Sequence, residues 1–559
     1  MKGKKSIAVL LGMALMLTLA GCGQKVQPSQ TEAVSGSGTD RGLQEEGVTG
    51  PFERYKDTVT VTVACPAYTS DVFIDDDTPS DNPYTRYMLE KSNIDMEYAW
   101  SAAADEYDQK VSLAIASGDL PDIMLVRNRS QLQELVDNHM VEDLTGTYEQ
   151  KAADYIKDFY GSYGEDAFTT AVYEDRLLAV PDLCYGYQFN FLWIRQDWLD
   201  RLGLDVPSTR EELESVAKAF IDNDMSGNND TIGIVCSSDV AGYYNRNQTL
   251  DPIFNTFDAY PRSWVIKEDG TVEYGSVQPG MKDALSYLSR LYQEGIIDHE
   301  FAVRTGDDLA ELLLSGRSGI TFGTWWYPDW PVSNAVMNDP ECNWVPCLAP
   351  LSEDGKYHPM QQNYHENWLV VRKGYEHPEV VWELLNYNWQ RGADKELAKI
   401  GEKYREAGGY IGYGFGPAGY CMVQYNDAVP KDAMTLKTAL ETGDTSKLNG
   451  DGINFYPSCK LWLEEKDPAS WRFYAARVEG SLVASDENML SIKALYYPAT
   501  TATMSMSWSS MEDLENQMLL KIIIGEEEID YFDEFVDTWN AMGGNKITQE
   551  VNEAYQKER

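Results

Sequence analysis

In the first quarter of the chain the hydrophobic pattern switches repeatedly between two periods, and this alternation constrains the fold more than any other feature. Thr58 to Val63 (TVTVTV) alternates branched apolar and hydroxyl residues, Tyr84 to Lys91 has helical spacing, and Asp95 to Trp100 alternates again. Asp105 to Ser117 is helical, and Ile123 to Val126 is a short apolar run. Period 2 lines one face of a strand and period 3.6 one face of a helix. The order β-α-β-α-β at crossover spacing therefore predicts an α/β fold, a mostly parallel sheet covered by helices. Ligands of such sheets bind beyond the carboxyl ends of the strands. The loops at 66–71 and 127–130 are expected to face that place.

A second block begins near Pro181. Ser208-Thr209-Arg210-Glu211 reads as a capping box opening a helix with Leu213, Val216, Ala217 and Phe220 inward. Met281 to Glu294 and Asp308 to Leu314 are helical by period, Gly319 to Phe322 is a short strand, and His377-Pro378 opens a helix with Val380, Val381, Leu384 and Leu385 inward. Residues 511–542 hold two amphipathic segments split at Gly525. Glu526, Glu527 and Glu528 are expected in the first turn of the second, where the helix dipole favours negative charge. No repeat of 20 to 50 residues is visible.

The amino terminus has a basic start (Lys2, Lys4, Lys5), an uncharged stretch from Ile7 to Leu19 and the junction Leu19-Ala20-Gly21-Cys22. This is a secretory leader at 1–21, too short for a membrane span, and the junction resembles a bacterial lipobox in which Cys22 carries the lipid. Residues 22–54 contain few large apolar side chains and many Ser, Gly, Thr and Gln, as a flexible tether does. The expected location is the extracytoplasmic face of the cell membrane, held by lipid.

With 90 acidic against 46 basic residues the formal charge is −44. Such a field repels nucleic acid and anionic lipid, so neither is an expected partner. Of the eight Cys, seven remain after Cys22. No C-x-x-C pair exists, so a disulfide framework or zinc site is not indicated, and buried free thiols are expected. Cys342 and Cys347 are close enough in sequence for a local bridge. There is no G-x-S-x-G, H-E-x-x-H or G-x-x-x-x-G-K-[ST], and the five His have no zinc spacing.

Four segments in order carry a resemblance: the lipobox, SGDLPDIMLV at 117–126, LLAVPDLCYGYQFNFLWIRQDWLDRLGLDVPSTREEL at 177–213, and LLKIIIGEEEIDYFDEFVDTWNAMGG at 519–544. Together they resemble the extracellular solute-binding proteins of bacterial ABC transporters, family 1, in the large lipoprotein subgroup of alginate- and oligosaccharide-binding members. The resemblance implies a periplasmic-binding-protein-like fold: two α/β lobes joined by crossing hinge segments near 180–181 and 363–368, with a helical C-terminal extension. The implied layout is 55–180 for the first part of lobe 1, 181–365 for the first part of lobe 2, 366–440 for the return of lobe 1, and 441–559 for lobe 2 and the C-terminal helices. It further implies a monomer that closes on an oligosaccharide and presents it to ABC permease subunits, without chemistry on the ligand.

The run TWWYPDW at 324–330 follows a helix, a turn and a short strand. The family has an aromatic platform here, and sugars present C–H faces that stack on rings, so Trp325, Trp326 and Trp330 are candidate ligand contacts, with a place in the core as the alternative. Placement adds Tyr68, Arg127, Asn128, Arg129, Tyr185, Trp264, Asn363 and Trp368. Arg127 and Arg129 suit a carboxylate, which keeps uronic acids open beside neutral sugars. DNDMSGNND at 222–230 places Asp222, Asp224, Ser226, Asn228 and Asp230 with Gly227 sixth, as a calcium loop does. Gly233 stands where the twelfth-position Glu belongs, and a metal-free turn rich in Asn and Asp is the alternative. A lipid-anchored glycoside hydrolase and a peptide-binding transporter protein are the competing functional classes.

Overall fold

The repeated change of period is realised as a sheet with helices over it. The computed structural model describes residues 50–558, apart from 53, 67–72, 105, 184–186, 188, 243–246, 340, 361–363, 391–395, 398, 401–402, 404–414, 422, 449 and 493–499. Eight strands build its two principal sheets: β1 Val59–Pro66, β2 Ile94–Ala102, β3 Ile123–Val126, β4 Val180–Pro181, β5 Phe191–Arg195, β6 Ile320–Gly323, β7 Trp344–Cys347 and β8 Trp368–Val371. The first sheet has the order β2-β1-β3-β8-β4. β1 pairs in parallel with both β2 and β3, while β8 runs antiparallel to β3 and to β4. The Val residues of TVTVTV point into the core and Thr60 outward, as an alternating strand with one covered face requires. β3 is buried along its whole length, which explains why its four residues are all apolar. The helices Pro83–Ser92 and Tyr107–Ser117 cross over between these strands.

The core of this first lobe gathers residues from 59–183 together with Trp368 to Val423. The helix Val380–Gln390 contributes Val380, Val381, Leu384 and Leu385, all fully buried, in accord with its spacing. The second lobe is built on the antiparallel sheet β6-β5-β7. Its core joins residues 192–349 to 504–551, so the C-terminal helices Met504–Ile523, Tyr531–Ala541 and Gly544–Glu558 pack on lobe 2. Trp539 stacks on Tyr274 at 5.4 Å and 4°. Beneath it the buried carboxylate of Glu515 accepts from the hydroxyls of Tyr274 and Ser276, each at 2.6 Å. A further apolar cluster of Leu436, Ala439, Leu448, Cys459 and Val478 holds a helical group between 428 and 483.

Two local expectations are corrected. The capping box is formed by Thr209 and Glu212, not Ser208 and Glu211. The STREE run offers the pattern twice, and Ser208 instead gives its N–H and hydroxyl to the same Glu212 carboxylate. Glu526, Glu527 and Glu528 lie in the connection before Tyr531–Ala541, whose first turn carries Asp533 and Glu534. Gly525 is left-handed (φ 76) and the N–H groups of Glu526 and Glu527 return to the Lys521 carbonyl, so the glutamates are spent closing one helix.

The first core runs to Leu183 and resumes at Trp368, and there β4 and β8 pair. Just past β4, Asp182 Oδ1 accepts from the main-chain N–H of Glu366 (2.7 Å) and Asn367 (3.0 Å), and Oδ2 accepts from Asn367 Nδ2 (2.7 Å). The Asp182 N–H donates to the Asn367 carbonyl at 2.9 Å. One carboxylate thus fastens the segment after β4 to the segment before β8.

Candidate ligand-binding site

The aromatic run leaves the second sheet at the end of β6. A Cβ on Gly323 would lie 2.5 Å from the Tyr327 ring, so the glycine makes room for that ring against the strand. Tyr327 is fully buried and its hydroxyl accepts from Gln248 Nε2 at 3.0 Å. Residues Tyr327–Asp329 form one 3₁₀ turn, started by Pro328. Asp329 closes the loop by receiving Arg477 Nη2 at 2.8 Å. Trp193 Nε1 donates to the Thr324 carbonyl at 3.2 Å. The run therefore divides: Tyr327 and Pro328 are core, Trp325 and Trp326 are half-buried, and Trp330 is 55 % exposed. A loop pinned at its middle presents aromatic surface on both sides of the pin.

Trp325 is also fixed from behind. The guanidinium of Arg477 lies 5.1 Å from its ring centre and 4.7 Å from that of Phe455. A Cβ on Gly480 would meet the Trp325 carbonyl at 2.6 Å and the Trp193 ring at 3.1 Å, so only glycine permits this approach of helix to loop.

The other predicted contacts separate into three groups. Tyr68, Tyr185 and Asn363 lie outside the described residues, as does Cys22. Trp264 and Trp368 are corrected to core positions, because neighbouring groups cover both rings. Trp264 is 5 % exposed, packed on Tyr274 and stacked on Trp508 at 6.0 Å. Trp368 is 1 % exposed and donates Nε1 to Thr170 Oγ1 at 2.9 Å. Arg127, Asn128 and Arg129 do follow β3, but each has a structural task. Arg127 donates to Asp108 Oδ1 (3.1 Å) and the Ala104 carbonyl (2.6 Å). Asn128 is the N-cap of Arg129–Asp137, accepting from the Ser130 N–H at 2.8 Å. Arg129 is 8 % exposed, donates to the Thr170 carbonyl and lies over the Tyr173 ring. The neighbouring hydroxyl reaches out instead: Ser130 Oγ is 2.6 Å from Thr500 Oγ1, across from lobe 1 to the segment entering the C-terminal helices. No motif marks Thr500 or Arg477, and their partners Ser130 and Asp329 lie 370 and 148 residues away.

In the 222–230 loop, Asp224, Ser226 and Asp230 converge. Ser226 Oγ donates to Asp224 Oδ1 (3.0 Å) and Asp230 Oδ1 (2.8 Å), while the Asn229 N–H donates to Asp224 Oδ2 (2.9 Å). Gly227 takes a left-handed φ of 79, as the bend requires. The donors are all oxygen, which fits a hard cation such as calcium. Arg317 pairs with the outer oxygen of Asp230 at 2.9 Å. Among the described residues no three His, Cys, Asp or Glu side chains gather closely enough to hold a metal, so Asp222 does not join the other two carboxylates. The thiols of Cys342 and Cys347 are free, as are Cys65, Cys236, Cys421 and Cys459.

The comparisons agree with this architecture. A polygalacturonan/rhamnogalacturonan-binding protein of Bacillus subtilis strain 168 is 22 % identical over 490 residues, covering 83 % of this chain and 86 % of that one. Lipoprotein LipO of the same organism is 22 % identical over 510 residues, covering 86 % and 91 %. A fructooligosaccharide ABC transporter substrate-binding protein of Streptococcus pneumoniae is 24 % identical over 377 residues, covering 64 % and 62 %. Among solved structures, an HMO-binding solute-binding protein from Bifidobacterium longum infantis superposes with a TM-score of 0.61 at 17 % identity, covering 90 % of this chain and 98 % of that one. A calcium-free alginate-binding protein gives 0.56 at 15 %, covering 91 % and 100 %. Residues 75–387 match the model of the bacterial extracellular solute-binding proteins, and the chain belongs to that family.

Proposed function

We propose that this protein captures an oligosaccharide outside the cell and delivers it to the permease of an ABC importer by closing its two lobes, with no chemistry on the ligand. The observation that carries this reading is the pinned aromatic loop: half-exposed Trp325 and Trp326 and exposed Trp330 around buried Tyr327. Rings held in advance lose little freedom on binding, and their faces suit the C–H surface of a sugar. Closure is a population shift, because a ligand that touches both lobes favours the state in which both reach it. We place the crossings after β4, before β8, and between Val423, where the first core ends, and Ala428, where the helical group begins.

Cys22 would carry the lipid and 22–54 would serve as the tether, the lipoprotein LipO being a relative that supports this assignment. Asp224, Ser226 and Asp230 would hold a structural calcium away from the aromatic loop, and the ion would supply cross-linking of the turn rather than chemistry.

The test is calorimetric titration of the purified protein with neutral oligosaccharides, uronic oligosaccharides and peptides. Binding of a sugar that is lost in Trp326→Ala while the melting temperature is unchanged supports the reading. Binding of peptides alone, or turnover of the sugar, refutes it.

A further inference from the structure

The two lobes have separate cores, one drawn from 59–183 and 368–423, the other from 192–349 and 504–551. A side-chain bond from one lobe to the other therefore acts on their relative position and adds little to either fold. Ser130 and Thr500 make such a bond, Oγ to Oγ1 at 2.6 Å. Both residues are exposed, so water would serve either hydroxyl as well, and no burial requires them to meet.

Each end of the bond is mounted on its own lobe. Ser130 lies in the first turn of the helix Arg129–Asp137, and its N–H is held by the Asn128 side chain at 2.8 Å. On one side of it Arg129 is buried and bonded to the Thr170 carbonyl. On the other, Gln131 Nε2 donates to the Asp108 carbonyl (2.7 Å) and to Ser112 Oγ (2.9 Å). Thr500 stands at the entry to the helix Met504–Ile523. The carbonyl of Thr501 accepts from the Ser505 N–H at 3.0 Å, and Glu550 of the last helix receives the hydroxyl (2.8 Å) and N–H (3.2 Å) of Thr503. With both backbones fastened in this way, the meeting of the two hydroxyls is set by how near the lobes stand.

The position of the bond gives it a role. The turn 127–130 follows the carboxyl end of β3, the side on which sheets of this type bind ligands. The bond thus joins the rims of the two lobes on that side, away from the pairing of β4 with β8. A neutral hydrogen bond in water shifts an equilibrium by a factor of about two to ten. That is too little to lock two lobes together and enough to bias them. A ligand of the closed form then meets more protein ready to receive it, and its apparent affinity rises with that fraction.

We propose that Ser130 and Thr500 form a latch that draws the lobes together before any ligand arrives, and so raises affinity without touching the ligand. The latch rests on the two-lobe closure of the reading above and not on the identity of the ligand.

The experiment places spin labels on Leu113→Cys and Met506→Cys, exposed positions on helices of opposite lobes. Pulsed electron resonance then gives the distances between the labels, without ligand and with kestose, cellotriose or trigalacturonate. Thr500→Val keeps the shape and loses the hydroxyl, whereas Thr500→Ser keeps the hydroxyl. Expected is a short-distance population in the ligand-free wild type, whose ratio to the long one falls about two- to tenfold in Ser130→Ala and in Thr500→Val. The double variant should fall no further, and Thr500→Ser should match wild type. A sugar that gathers the wild-type labels to the short distance should bind more weakly to Ser130→Ala and Thr500→Val, by up to the same factor. A ligand-free wild type without the short population overturns the latch, and so does a ratio within about 1.5-fold of wild type in either single variant. Sugar capture stands in both cases if a sugar still gathers the labels. If the variants change the ratio but none of the three sugars moves the wild-type distances, the latch stands and the sugar reading falls.

Discussion

Asp182 offers the sharpest test of how the segments after β4 and before β8 are held together. The side chain is 1 % exposed and its oxygens accept three N–H groups from Glu366 and Asn367. Asp182→Ala leaves those donors without this acceptor. Each stranded buried donor costs about 1–3 kcal/mol, and water entering the gap recovers part of it, so a loss of about 3–5 kcal/mol is expected. Asp182→Asn is different. Its carbonyl oxygen still reaches both main-chain donors on the Oδ1 side, and a flipped Asn367 amide accepts from the new Nδ2. Its cost at pH 5 should be about 1 kcal/mol.

The pH dependence separates the two ideas of a charged and a neutral carboxyl at Asp182. Burial pushes Asp182 up to about 7 from an ordinary 3.8, against the lowering effect of the Asn367 and Glu366 hydrogen bonds. Between these values the folded protein holds a proton that the unfolded chain has released, so stability falls as pH rises through the window. From pH 5 to 8 this one group should remove about 2–3 kcal/mol. Asparagine cannot ionise, so the Asn variant should lose less stability than wild type over the same interval, by that amount. Asp251 and Glu479, which burial pushes up to about 6 and about 7, titrate in both proteins and cancel in the difference. Urea unfolding followed by tryptophan fluorescence at pH 5 and pH 8 gives both quantities. Equal pH slopes for wild type and Asp182→Asn, or an alanine variant within about 1 kcal/mol of wild type, would refute the reasoning.

Four further outcomes are expected. Calcium should stabilise the fold by about 2.7 kcal/mol when the ion is at about 100 times its Kd, and so raise the melting temperature relative to chelator, and Asp224→Ala should abolish the shift; identical curves with and without calcium would remove the ion from this loop. Gly480→Ala should cost about 1–3 kcal/mol, because its Cβ meets the Trp325 carbonyl and that main chain has to move; the Trp325 environment, read by fluorescence, should change with it. Tyr327→Ala should cost about 3–5 kcal/mol as a buried aromatic, whereas Trp330→Ala should stay within about 0.5 kcal/mol, and urea midpoints distinguish them. Burial pushes the Cys65 and Cys459 thiols up to about 12, so neither should react with a thiol reagent near neutral pH until the protein unfolds.

The parts of the fold that were legible are those specified by neighbouring residues. TVTVTV, the helix before Ser117 and the run IMLV appear almost at their read positions, because an alternating or fully apolar run has one economical way to bury itself in a covered sheet. The helical group at 428–483 was not legible, and its composition explains why. Gly450–Glu465 carries Pro457 in its interior, and the π-helical stretch Ala475–Gly480 breaks the 3.6-residue period that reveals an amphipathic helix. Phe455 and Arg477, which lie behind Trp325, come from this group, so the least readable segment supports the aromatic loop.

Aromatic residues show the same limit in a single chemical type. Trp264, Trp325, Trp330 and Trp368 all bring a large flat apolar face with one N–H, and that face suits a core and a sugar equally. What separates them is what covers the ring. Trp508 and Tyr274 cover Trp264, and Thr170 satisfies the indole of Trp368, contacts made over separations of 244, 10 and 198 residues that no local pattern encodes. Within TWWYPDW the discriminator is Gly323, whose missing side chain admits the Tyr327 ring to the core and so forces the flanking tryptophans outward. A bulkier residue at 323 would deny Tyr327 that seat and release the loop. The presented surface of the tryptophans therefore depends on a glycine two residues before the first of them, and Gly323→Val should lose sugar binding through disordering of the loop even though no ligand contact has been altered.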